Sequence, residues 1–247
     1  MDKEQVIKVL ETLLKDLKEE PIKSDRRKST IILDYGHGGA FVDKMGNVVY
    51  TTEPAKMFVH PEGKFHQQTL GGKASNVFYE GVYNREQGKA IKKELQAAGF
   101  DVIELVDGYT DVSLFERSEK VNRLCKNLTN PILVSIHSNA SDSHKAEGFS
   151  IYTTKGLTES DTVAEEILKA VIVEEIGMKI RLNSHKPKHR DFEANFWILR
   201  KTMCKAVLLE IGFFDTVKDA NFIDNPNNQK EFAEAITKGI IEYDKQI

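Results

Sequence analysis

Cysteine is nearly absent from this 247-residue chain: Cys125 and Cys204 stand 79 positions apart and neither belongs to a CxxC pair. That excludes a thiolate metal cage and a disulfide framework, and the surrounding apolar pattern predicts two buried free thiols. No run approaches the ~20 apolar residues that a membrane-crossing helix needs, so no membrane insertion is expected. The start, Met1-Asp2-Lys3-Glu4-Gln5, lacks the basic opening and continuous apolar stretch of a secretory signal, which points to synthesis in the cytoplasm. A charge excess is also missing: the formal net charge is -3, which gives no global reason to expect a nucleic-acid partner. There is no internal repeat and no low-complexity tract.

What is present is alternation. Val6, Leu10, Leu13, Leu14 and Leu17 recur at helical spacing before Pro21, and Lys23 to Lys28 is polar and basic, so residues 1–28 read as an amphipathic helix and linker. From residue 29 to residue 247 strand-like and helix-like segments alternate, predicting an α/β fold: a single three-layer domain with a mostly parallel or mixed twisted sheet flanked by helices, plus the N-terminal helical extension. Helices are expected from about Tyr83 to Ala98, across Leu114 to Leu128, from about Ser160 to Ile176, and along Phe232 to Tyr243. Between Ala40 and Asn76 lies a long irregular stretch. Met45-Gly46-Asn47 there resembles a hairpin turn joining Ala40-Phe41-Val42 to Val48-Val49-Tyr50, and irregular segments of this length in compact domains are usually functional or disordered.

Three apolar strands run straight into polar groups. Ile31-Ile32-Leu33 leads to Asp34-Tyr35-Gly36-His37-Gly38-Gly39, Ile132 to Ile136 leads to His137-Ser138-Asn139, and Ala206 to Leu209 leads to Glu210-Ile211-Gly212. In open α/β sheets ligands gather at the carboxyl ends of strands, so shared membership of one sheet brings His37, His137 and Glu210 to one rim. Two imidazoles supply half of a zinc site. Glu80, ahead of a helix, is the best third carboxylate, although alone it reads more readily as a helix-entry acid stabilised by the dipole. Glu210 interrupts an apolar run, where a carboxylate is costly unless it is paired or bound. Its two readings are a general base or acid with a raised pKa and an ion pair with Arg200. His185 and His189 flank Pro187, which argues for solvent-exposed loop histidines. Asn139 and the loop around His189 and Arg190 are candidate substrate contacts.

Taken in order, these segments resemble the zinc-dependent N-acetylmuramoyl-L-alanine amidases of the amidase-3 type, found in autolysins and phage endolysins. Asp34 to Gly39 is similar to the family's DPGHGG with Tyr35 for Pro. Glu80 and Ala97-Ala98-Gly99-Phe100-Asp101-Val102 resemble its second-ligand glutamate and the end of the helix that follows. Val112 to Arg117 resembles VSLxxR, Ser135 to Ala140 resembles SIHANA, and Leu208 to Phe213 resembles LVETGF. Cys204 also departs from a usual Pro, and the segment between His37 and Glu80 is longer. The resemblance implies one zinc ion (Zn2+) per chain bound by His37, Glu80 and His137, with Glu210 as the catalytic carboxylate. It implies a peptidoglycan substrate, cut between the lactyl group of N-acetylmuramic acid and L-alanine, and action on the bacterial cell wall after release. The alternatives are a zinc hydrolase cutting within the stem peptide and a wall-binding relative without turnover. The long insert is expected to lie beside the metal and wall the groove.

Overall fold

The computed structural model describes residues 27–185 and 189–247. The helix expected before Pro21 therefore falls outside the described residues, as does most of the linker that follows it. Strands β1 (Thr30–Tyr35), β2 (Ala40–Val42), β3 (Val48–Tyr50), β4 (Met57–Val59) and β5 (Val77–Tyr79) precede helix α1 (Glu80–Ala97). They are followed by β6 (Asp101–Glu104), α2 (Leu114–Cys125), β7 (Pro131–Asn139), β8 (Ser150–Thr153), α3 (Glu159–Val173), β9 (Phe192–Glu193), α4 (Trp197–Arg200), β10 (Lys205–Phe213), α5 (Val217–Asp224) and α6 (Pro226–Asp244).

Six of these strands form one sheet in the order β6-β1-β7-β10-β8-β9. The first four are mutually parallel, β8 runs antiparallel to β10, and the sheet is therefore mixed. The period-2 geometry of strands explains the layers. Ile31, Leu33, Ile132, Val134, Ile136, Val207 and Leu209 enter the larger core with Ile91, Leu95, Ile167, Ile236 and Ile240 of α1, α3 and α6. Their neighbours Ile32, Leu133, Ala206 and Leu208 enter the smaller core with Val121, Ile198 and Leu199 of α2 and α4. Both faces are covered, so the central strands read as continuous apolar runs. Among the described residues no helix is long and apolar enough to cross a membrane.

The insert is more ordered than its sequence suggests. β2 and β3 form the expected hairpin, and β4 and β5 form a second ribbon that composition did not signal. Long-range hydrogen bonds dock it: Gln67 exchanges bonds with the Tyr79 backbone, His66 N–H donates to Asp224, and the Gly81 N–H donates to the Tyr50 hydroxyl at 3.1 Å. Both cysteines are free, but half-buried rather than buried, because they border a surface pocket with Lys126 and Met203. The expected helix to Ile176 stops at Val173, where the chain turns through Glu175 at φ 48°.

Candidate active site

β7 and β10 lie in register with Glu210 beside His137, so both side chains leave the sheet on one face at its carboxyl rim. His37 follows β1 by two residues and adopts φ 61°, a left-handed conformation costly for a non-glycine residue. Two buried arginines hold it there. The His37 carbonyl accepts from Arg85 Nη2 at 3.0 Å and from Arg117 Nη2 at 3.1 Å. Arg117 also donates to Asp34 Oδ1 and the Tyr35 carbonyl, both at 2.6 Å, and Arg85 donates to the carbonyls of Gly81 and Gly108. Asp34 is oriented in turn by the Ser135 hydroxyl at 2.7 Å. Tyr35 stays inside β1 and its hydroxyl donates to Glu104, a bond that the family's Pro would not make.

Glu80 opens α1 and is almost fully buried. Its Oε1 lies 3.4 Å from His37 Nε2 and 3.3 Å from His137 Nδ1, and the two imidazoles meet edge to face with centroids 5.1 Å apart. Asn84, one turn along, spans Glu80 Oε1 and the Gly36 carbonyl and so ties the helix to the His37 turn. Close approach explains two glycines: a Cβ on Gly36 would strike the His137 ring, and one on Gly81 would strike the Gly38 carbonyl. Above the cluster opens a cleft of about 400 Å3 lined by Asp34, Gly36, His37, Glu53, Val112 and His137, among others.

The electrostatics follow from burial and proximity. Burial pushes the His37 pKa down to about 4, against the pull of Glu80. Burial also opposes charge on His137, but the Glu80 hydrogen bond and the Glu210 charge outweigh it and raise its pKa. For Glu80 the two imidazoles outweigh burial and hold it as a carboxylate. Glu210 is pushed up to about 7, by burial first and then by the charge of Glu80. It makes no ion pair among the described residues, and Arg200 instead stacks over Trp197. One oxygen of each acid, Glu80 Oε2 and Glu210 Oε2, is buried without a hydrogen-bond partner among the described residues.

His37, Glu80, His137 and Glu210 are thus brought together from four separate segments. Asn139 ends β7 at the same rim, whereas Arg190 does not reach it: its guanidinium is engaged by Glu165 of α3 at 2.7 Å. His189 is half-buried rather than solvent-exposed. Sequence reasoning missed Arg85, which looks like any helix-surface arginine, and Lys56 of the insert. The Lys56 charge acts on His37, Glu80 and Glu210 together, and nothing in its local sequence marks it.

A mixed α/β sheet with imidazoles and carboxylates converging at its carboxyl rim defines a hydrolase-like α/β protein with a metal-competent site. Residues 31–242 match the family model described as N-acetylmuramoyl-L-alanine amidase (amidase-3), and the chain belongs to that family. It is 25% identical over 229 residues to the probable cell wall amidase LytH of Staphylococcus epidermidis, covering 92% of this chain and 61% of that relative. It is 28% identical to an uncharacterized cell wall amidase of Bacillus anthracis, covering 87% of this chain and 35% of that protein. The chain thus spans about 61% of the length of the staphylococcal relative it matches. Among solved structures, an N-acetylmuramoyl-L-alanine amidase from Clostridium difficile superposes with a TM-score of 0.64 at 23% identity, covering 88% of this chain and 97% of that one. The amidase Ami1 of Mycobacterium smegmatis gives 0.65 at 16% identity, covering 90% and 99%. These likenesses show the shared fold.

Proposed function

We propose that residues 29–247 form a catalytic domain that hydrolyses the amide between the lactyl group of N-acetylmuramic acid and L-alanine in peptidoglycan, using a zinc ion held by His37, Glu80 and His137. The observation that carries this reading is the spacing of the three donors. At 3.3 and 3.4 Å the contacts to Glu80 Oε1 are long for charge-assisted hydrogen bonds. They match the roughly 3.3 Å that separates ligand atoms bound at about 2.0–2.1 Å to a tetrahedral ion. Two nitrogens and one carboxylate oxygen are also a donor set that suits zinc.

A zinc ion there would supply Lewis acidity, making water acidic enough to give up a proton near neutral pH and polarising the amide carbonyl. The chain's own residues do the rest. Glu210, beside His137 and held near neutrality by burial, takes the proton from the attacking water and returns it to the departing alanine nitrogen. Arg85 and Arg117 keep the His37 turn in its strained form so that the imidazole faces Glu80. Lys56 brings positive charge from the insert to the same rim, which suits a stem peptide bearing carboxylates. The cell wall is the proposed site of action, in keeping with the relatives named as cell wall amidases.

The test is muropeptide analysis together with metal content for the wild type, Glu210→Ala and His137→Ala. A new amino terminus on L-alanine is expected from the wild type, with turnover lost in both variants and zinc lost in His137→Ala. Stem fragments lacking L-alanine would replace this reading with cleavage inside the peptide. Retained turnover in Glu210→Ala would remove the assigned proton carrier.

A further inference from the structure

A second cluster lies toward the opposite rim. Asp161 stands in the first turn of α3, and His189 and Asp191 in the segment leading to β9; each offers one ligand atom and these atoms lie within 4.8 Å of one another. The strand register fixes the separation from the first site. Ser150 pairs with Glu210, β8 then runs back to Thr153, and the Ala206 N–H donates to the Ser160 hydroxyl at 3.0 Å. Four residues of β10 between Ala206 and Glu210 set the Asp161 end about 13 Å from Glu210, while Asp191, just before Phe192 beside Tyr152, lies two strands over from β10.

Both carboxylates are fully buried, at 0% exposure. Threonines orient both: Asp161 Oδ2 accepts from the Thr158 N–H at 2.8 Å and its hydroxyl at 3.1 Å, and Asp191 Oδ2 accepts from the Thr153 hydroxyl at 2.7 Å. The second oxygen of Asp161, Oδ1, is buried with no hydrogen-bond partner among the described residues, and so is Nδ1 of His189. A buried carboxylate oxygen left this way is expensive unless something coordinates it.

We propose that Asp161, His189 and Asp191 bind a divalent transition-metal ion, zinc or manganese, in a structural site that clasps the segment before β9 onto the start of α3. One imidazole nitrogen with two carboxylate oxygens is a borderline donor set, which disfavours calcium and magnesium with their all-oxygen shells. Closing donors from 4.8 Å to the edge of a tetrahedral ion requires each to move by at most about 1 Å. Arg190, between the two loop ligands, is already tied to Glu165 of α3 by its guanidinium and by its backbone N–H, so the segment approaches α3 in the right place. The positive end of the α3 dipole opposes a cation, and two carboxylates offset it. This proposal stands independently of the amidase reading.

The experiment uses the full chain, stripped with a chelator and then dialysed against Zn2+ or, separately, Mn2+. Bound metal is counted by mass spectrometry in the wild type, His137→Ala, His189→Gln and Asp161→Asn. His189→Gln is the principal variant because His189 caps no helix; circular dichroism checks that each variant is folded. Two equivalents are expected in the wild type, and one in each of the three variants. A loss of one equivalent from wild type to folded His189→Gln supports the site, and equal metal content in the two overturns it. If the proposed catalytic ligands fail instead, the wild type and His137→Ala agree while His189→Gln still drops.

Discussion

At the carboxyl ends of β1, β7 and β10, two half-buried imidazoles line an open cleft of about 400 Å3 beside Glu80 and Glu210; at the other rim Asp161 and Asp191 are sealed at 0% exposure. The first cluster carries an acid beyond its three candidate ligands, Glu210, which is pushed up to about 7 and has no ion pair among the described residues. The second has its carboxylates anchored by Thr158 and Thr153, and the acid beside it, Glu165, is tied to Arg190 at 2.7 Å. A histidine-and-carboxylate cluster by itself therefore says only that a cation is tolerated. Reaction needs access for a substrate and a proton carrier beside the metal-competent set, and holding needs neither.

The sharpest way to break this contrast is Glu210→Gln. Amide cleavage should fall by about 10²–10⁴-fold with zinc retained, as expected for removal of a general base. Muropeptide release and metal analysis read the two halves of that outcome, and near-normal turnover would make the first rim no more catalytic than the second. Arg117→Ala comes next. It leaves Asp34 buried without its partner at 2.6 Å and frees the His37 turn, so urea unfolding should show a loss of about 3–5 kcal/mol. At the second rim, His189→Gln should leave amide cleavage within about twofold of wild type, while the stabilisation that added metal gives the wild type in thermal melts shrinks.

The smallest effect lies outside both clusters. Burial holds the Glu86 pKa above its ordinary value despite the bond from the Thr69 N–H. A carboxyl raised in the folded state contributes stability below its unfolded pKa and loses it as pH climbs through the folded one. Glu86→Gln should therefore gain on the wild type as pH rises from about 4 to 7, read as a widening difference in unfolding midpoint. A difference that narrows over that range would show that the Thr69 bond outweighs burial.

Much of this was legible locally. Ile31 to Leu33, Ile132 to Ile136 and Ala206 to Leu209 announce buried strands by composition, and an acid or imidazole directly after each announces a rim. The interrupted apolar run around Glu210 carried a physical warning of its own, and its ion-pair alternative fell once Arg200 was found over Trp197. The second ribbon of the insert was hidden because Met57 to Val59 and Val77 to Tyr79 are three-residue strands with mixed exposure, too short for periodicity to register. His189 was read as solvent-exposed because a polar loop with Pro187 gives no sign of the buried acids across from it.

By itself the sequence determined the central strands, the alternation that sends neighbouring residues to opposite cores, and the residue types at each strand end, because all of these depend on neighbours one to four positions away. Only the tertiary structure decided that Glu80 Oε1 sits between two imidazoles, that Arg85 and Arg117 share the His37 carbonyl, and that Asp161 meets His189 and Asp191. Those meetings join residues separated by 28 to 80 positions, and their geometry follows from strand order and helix packing, which no local window contains.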